Sequence, residues 1–116
     1  LILVLPISIL AGNILFGQEE QKLDKWPAPI GGMESILKNV VYPEKAREEK
    51  LQGKVFVNAL IDEDGNVEKV SIEKSANELL DKAAMEAIKK VKFTPGELNG
   101  KKVKAEVIIP VLFKLN

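Results

Sequence analysis

Asp64 and Gly65 stand between two runs of alternating apolar side chains, and no other feature constrains this chain as strongly. Tight hairpin turns need positive φ at their centre, which Gly adopts without steric cost and Asp tolerates. The preceding run, residues 54–63, reads KVFVNALIDE, with Val55, Val57, Ala59 and Ile61 on one face and Phe56, Asn58 and Leu60 on the other. Apolar side chains on both faces predict a central or well-covered strand. Residues 67–74 return as its partner, with Val70 and Ile72 facing one way.

A helical pattern follows the hairpin. Leu79, Leu80, Ala83, Ala84, Ala87, Ile88 and Val91 recur along one stripe, as expected of a helix packed on a sheet. Ser75 with Glu78 three residues on has the form of a capping box. Glu78–Lys82 and Glu86–Lys90 are spaced to pair across one turn. Phe93-Thr94-Pro95-Gly96 ends this helix, and Asn99-Gly100 marks a further turn before a last strand over residues 102–115. Ahead of the hairpin, Gly31-Gly32 is a turn and residues 33–39 read as a short helix. Pro43 is suited to the first position of a second helix over residues 43–50, where its missing N–H costs nothing, with Gly53 as its stop. The sum is an α+β fold: a small antiparallel sheet made of a hairpin plus a C-terminal edge strand, with helices on one face.

The first 17 residues, LILVLPISILAGNILFG, contain no charge, whereas charges are dense from Gln18 onward. Such a switch marks a processing or membrane segment. Residues 1–17 are expected to be a signal peptide cut near Gly17-Gln18 or a membrane anchor, although an anchor needs about 20 apolar residues. With no cysteine, lipid attachment through one is excluded. Both readings put the remainder outside the cytoplasm. Residues 18–29, QEEQKLDKWPAP, read as a linker spanning about 40 Å when extended, and the folded domain is expected over residues 30–116.

Composition narrows the chemistry. The absence of Cys and His removes disulfides, thiolate metal sites and the commonest metal ligand and neutral-pH base. Lys plus Arg equals Asp plus Glu at 17 each, so the basic surplus of a nucleic-acid binder is missing. Asp62, Glu63 and Asp64 lack calcium-loop spacing and read as a solvated hairpin tip. Lys89-Lys90 and Lys101-Lys102 read as solvated basic patches, with steering of an acidic partner as the alternative. No pattern for a catalytic site, metal or cofactor is present, and the expectation is a protein that is not an enzyme.

The informative element is the last strand. Val103, Ala105 and Val107 alternate, and Ile108, Ile109, Val111, Leu112 and Phe113 then form an apolar run around Pro110. Proline cannot donate to a ladder, which places this strand at a sheet edge. A long apolar edge is either covered or a working surface that pairs with another chain.

Several segments, in order, resemble the TonB C-terminal domain family. They are Tyr42-Pro43-x-x-Ala46, Gly53-x-Val55-x-Val57, Asp64-Gly65-x-Val67-x-x-Val70-x-Ile72 and Leu80-Asp81-x-Ala83-Ala84-x-x-Ala87. Phe93-x-Pro95-Gly96 and the closing Val111-Leu112-Phe113-Lys114-Leu115-Asn116 complete the set, and Ile30-Gly31-Gly32 is similar to a variant of Bacteroidetes-type members. The resemblance implies a periplasmic domain that pairs its last strand with the TonB box, an extended N-terminal segment of outer-membrane transporters, in energy-coupled transmembrane transport. Carried onto this chain, the pairing strand is Lys104, Ala105, Glu106, Val107, Ile108, Ile109, Pro110, Val111, Leu112 and Phe113. The segment around Tyr42 and Pro43 touches the same partner. The motor proteins ExbB and ExbD are implied only for a membrane-anchored form, and the family's Ser and His pair has no counterpart, since Ser8 is followed by Gly12. The alternative is a free periplasmic TonB-like domain, acting in self-association, as in a homodimer, or in structural protein interaction, without energy coupling.

Overall fold

The computed structural model describes residues 3–4 and 23–115. Its elements are β1 (Leu3–Val4), β2 (Ala28–Pro29), α1 (Met33–Leu37), α2 (Glu44–Glu48), β3 (Gly53–Ile61), β4 (Val67–Lys74), α3 (Glu78–Lys89), β5 (Phe93–Thr94), β6 (Gly96–Leu98), β7 (Lys101–Val103) and β8 (Ala105–Phe113). The main sheet runs β1-β8-β3-β4 with every pairing antiparallel, and β2-β5 and β6-β7 form two small ribbons. The fold is α+β, with β3 at the centre of the three long strands.

The period-two pattern sets the two faces of the sheet. Val55, Val57, Ala59 and Ile61 of β3 and Val107, Ile109, Val111 and Phe113 of β8 are buried in one core with Leu80, Ala84, Ala87 and Ile88 of α3. That α3 stripe lies over β3 and β4, and Ile36 of α1, Ala46 of α2 and Phe93 close the core.

The Asp64-Gly65 turn forms between β3 and β4, closed by the Asp62 N–H on the Asn66 carbonyl (2.9 Å) and the Gly65 N–H on that of Asp62 (3.0 Å). The Asp62 carboxylate accepts the N–H groups of Asp64 and Asn66. Its bond from the Asn66 backbone, chiefly, holds its pKa below the ordinary carboxylate value. The tip is less solvated than expected. Gly65 is buried against Phe93, whose N–H donates to the Gly65 carbonyl (2.9 Å), and Lys92 Nζ donates to Asn66 Oδ1 (2.7 Å).

Other boundaries differ from expectation for identifiable reasons. Pro43 caps α2 from outside, with an extended ψ of 135°. That helix ends at Glu48, and Lys50 just beyond it takes the left-handed region (φ 56°) before Gly53 is reached. The Ser75–Glu78 box does not form. Asn77 caps α3, accepting the Leu79 N–H on Oδ1, while Ser75 donates its hydroxyl to Asp81. On α3, Glu86 pairs with Lys89 (3.3 Å) rather than Lys90.

The linker expected over residues 18–29 is also revised. From Leu23 it is part of the domain: Leu23 packs with Ala105, Trp26, Leu98 and Val103, Lys25 bridges to Glu97, and β2 pairs with β5. Leu23 and Pro27 are buried, so this stretch contributes apolar surface that composition alone, rich in Gln, Glu and Lys, disguises. The signal or anchor segment, residues 1–17, lies outside the described residues apart from β1, and residues 18–22 lie wholly outside them. No helix among the described residues is long and apolar enough to cross a membrane.

Candidate peptide-binding edge

β8 turns its odd-numbered side chains into the core. Its even-numbered ones lie on the face without helices, where the register sets Leu112 beside Lys54, Pro110 beside Phe56, Ile108 beside Asn58 and Glu106 beside Leu60. Leu112 is 56% exposed, whereas Ile108 is buried.

Backbone polarity follows the same parity. In an antiparallel strand the N–H and C=O of one residue point to the same side, and alternate residues bond alternate neighbours. Pro110 has no N–H and stands opposite Phe56 within an unbroken register of β8 on β3. The pair is therefore one that makes no ladder bonds, and Pro110 faces the outer side. Ile108 and Leu112 share its parity and turn their N–H and C=O groups outward, away from β3.

The expected open edge is thus occupied in part. Leu3 and Val4 of β1 pair with Ile108 and Val107, so an unpaired row of backbone groups has recruited an apolar strand. Among the described residues nothing pairs with the outer side of β8 from Ile109 to Phe113.

Of the residues expected at the site, Ala105, Glu106, Val107, Ile108, Ile109, Pro110, Val111, Leu112 and Phe113 all lie in β8. Lys104 does not. It sits in the break between β7 and β8, and its ammonium crosses to Glu68 of β4 (3.1 Å), away from the outer edge. The hydrogen bond to Glu68, with that carboxylate's charge, raises the Lys104 pKa. Tyr42 stands at the far end of β8, its ring edge-on to Phe113 at 5.4 Å between centroids. Its hydroxyl donates to the Leu51 carbonyl. Pro43 turns to a different side and lines a groove with Val41, Leu79 and Ala83.

The residues missed from sequence surround Tyr42. An open pocket of about 670 Å³ is lined by Tyr42, Arg47, Lys50, Gln52, Lys114 and Leu115. The pairing of Gly53 with Phe113 brings the residues before one strand beside those after the other, and Gln52 Oε1 accepts the Leu115 N–H (2.7 Å). The sequence signal was faint: two cations at the end of a five-residue helix and a third at the end of the last strand.

The Gram-negative bacterial TonB protein C-terminal family matches residues 38–115. The chain belongs to this family. Among its relatives are Protein TonB of Xanthomonas campestris pv. campestris, 45% identical over 76 residues, which cover 65% of this chain and 34% of that protein. Protein TonB of Vibrio cholerae is 39% identical over 75 residues, covering 64% and 31%. The chain therefore spans about a third of the length of the curated relatives it matches. The solution structure of the Helicobacter pylori TonB C-terminal domain superposes with a TM-score of 0.59 at 26% identity, covering 72% of this chain and 77% of that one. The matched range contains Tyr42, Pro43 and all of β8, and begins after α1.

Proposed function

We propose that this domain is a periplasmic binding module that captures the TonB box of an outer-membrane transporter by strand addition to β8, within TonB-dependent transmembrane transport. Main-chain hydrogen bonds supply the affinity and alternate side chains the selectivity, and no catalytic step is involved. Coupling to the proton gradient through ExbB and ExbD goes with this reading where residues 1–17 serve as an anchor.

One observation carries the proposal. The outer side of β8 already accepts a strand at Val107 and Ile108, and among the described residues nothing pairs with it from Ile109 to Phe113. Leu112 offers its backbone outward there while its side chain is exposed, so Leu112→Pro removes an outward donor without touching the core. Titration calorimetry with a TonB-box peptide is expected to show about a tenfold loss of affinity for this variant, the size of a lost hydrogen bond with disturbed register. Unchanged affinity with intact circular dichroism overturns the assignment of the edge. A wild-type protein that ignores the peptide but dimerises with concentration in sedimentation, and loses that on Leu112→Pro, assigns the edge to a second copy of the chain.

A further inference from the structure

The pocket at the Phe113 end of β8 has three cations, Arg47, Lys50 and Lys114, in its lining. Arg47 holds its guanidinium 6.0 Å from the centre of the Tyr42 ring, and Lys50 and Lys114 add two ammonium groups to the same wall. The Tyr42 hydroxyl is engaged with Leu51 and Gln52 Oε1 with the Leu115 N–H, which leaves the Gln52 amide N–H groups for the cavity. None of the three cations makes an ion pair among the described residues, although Glu44 and Glu48 line a neighbouring hollow with Tyr42 and Arg47.

Lys50 gives a second indication. It occupies the left-handed conformation that ends α2, with its N–H on the Arg47 carbonyl (3.0 Å) and the Leu51 N–H on that of Ala46 (2.8 Å). Glycine suits such a position best, and a side chain there costs about 1 kcal/mol or more. Its side chain carries an ammonium to the wall of a cavity that holds two more cations.

We propose that this pocket binds a carboxylate side chain of the docked peptide, an Asp or Glu flanking the stretch that pairs with β8. Lys114 and Leu115 of its lining directly follow β8, which puts the pocket within reach of a residue one or two positions beyond the paired stretch. A bidentate guanidinium contact supported by two ammonium groups suits a carboxylate, and the half-open site makes the attraction sensitive to salt. The inference rests on strand addition at β8.

The test uses the full chain and TonB-box peptides extended by two Glu or by two Gln, at either end. At low ionic strength the Glu peptide extended at one of the ends is expected to bind about fivefold more tightly than its Gln counterpart, a gain that disappears near 0.5 M salt. Arg47→Gln, Lys114→Gln and Lys50→Gly are each expected to shrink the gain, whereas Lys90→Gln, which removes the same charge elsewhere, leaves it. Lys50→Gly also raises the midpoint of thermal unfolding, so its loss of binding is not a loss of fold. Equal affinity of Glu and Gln peptides at both ends, or a gain untouched by the three pocket variants, overturns the pocket while strand addition stands. Failure of every peptide to bind overturns both.

Discussion

Gly65 meets the backbone of Phe93 where the hairpin tip docks on β5. A Cβ placed on it would lie 2.0 Å from the Phe93 carbonyl oxygen, at a φ of 85°. Gly100, at φ 79°, has nothing within 4 Å of the same position. The two glycines separate conformational strain from steric exclusion. Gly100→Ala is expected to cost about 1 kcal/mol, the left-handed penalty alone. Gly65→Ala adds displacement of the Phe93 strand and is expected to cost about 3 kcal/mol or more in urea unfolding. A similar cost at both sites would show that the tip moves freely away from Phe93. The sequence exposed half of this: the Asp-Gly pair announces the turn, but its docking against a residue 28 positions later depends on where α3 delivers Phe93.

The start of α3 shows how an element is fixed by a residue from its second turn. Asp81 is buried, and its carboxylate takes the Ser75 hydroxyl together with the backbone N–H groups of Ala76 (3.0 Å) and Asn77 (3.4 Å). It thus satisfies the chain entering the helix, while Asn77 Oδ1 serves the Leu79 N–H (2.8 Å) inside it. Asp81→Ala removes the shared acceptor of three part-buried hydrogen bonds and is expected to destabilise the fold by about 1–2 kcal/mol, whereas Glu78→Ala, the residue a capping box would need, is expected to change it by less than about 0.5 kcal/mol. A larger effect at Glu78 than at Asp81 would restore the capping box. Element types were legible because the apolar periods differ: two in β3 and β8, helical in α3. Capping was less legible, since Ser75, Asn77, Glu78 and Asp81 all carry suitable groups and only the approach of β4 to α3 selects among them. For β8, Pro110 pointed to a sheet edge, and β8 has a neighbour on its outer side only at Val107 and Ile108 among the described residues. Its partial cover by Leu3 and Val4 was hidden, because those residues lie in a run whose apolarity has a simpler reading.

At the scale of the molecule, the segment from Leu23 to Pro29 acts as a strap on the side of the domain opposite the pocket's helix, and it precedes the family match that starts at residue 38. The Asp24 and Lys25 N–H groups both reach the Glu97 carbonyl (2.8 and 3.2 Å), and the Glu97 N–H returns to Lys25 (2.9 Å). Asn99 donates its N–H to the Asp24 carboxylate (2.7 Å). The β6-β7 hairpin is thereby held from outside, and Leu23 covers Ala105 at the root of β8. Burial of Leu23 and Pro27 is worth about 2–4 kcal/mol before the entropy of ordering the strap is subtracted. A chain beginning at Ile30 is therefore expected to lose about 1–3 kcal/mol in urea unfolding relative to one beginning at Leu23, both of them without β1. Hydrogen exchange localises the effect: the Glu97 and Asn99 amides lose protection, while those of β3, which bond within the sheet, change only with global stability. The outer side of β8 from Ile109 to Phe113 is not touched by the strap, so TonB-box affinity measured well below the unfolding midpoint is expected to stay within about twofold of the longer chain. A shortened protein that keeps Glu97 protection would mean that the hairpin stands without the strap. One that keeps its stability but loses the peptide would make Leu23–Pro29 part of the binding surface, and would move the business end of the domain from the Phe113 end of β8 to its Ala105 end.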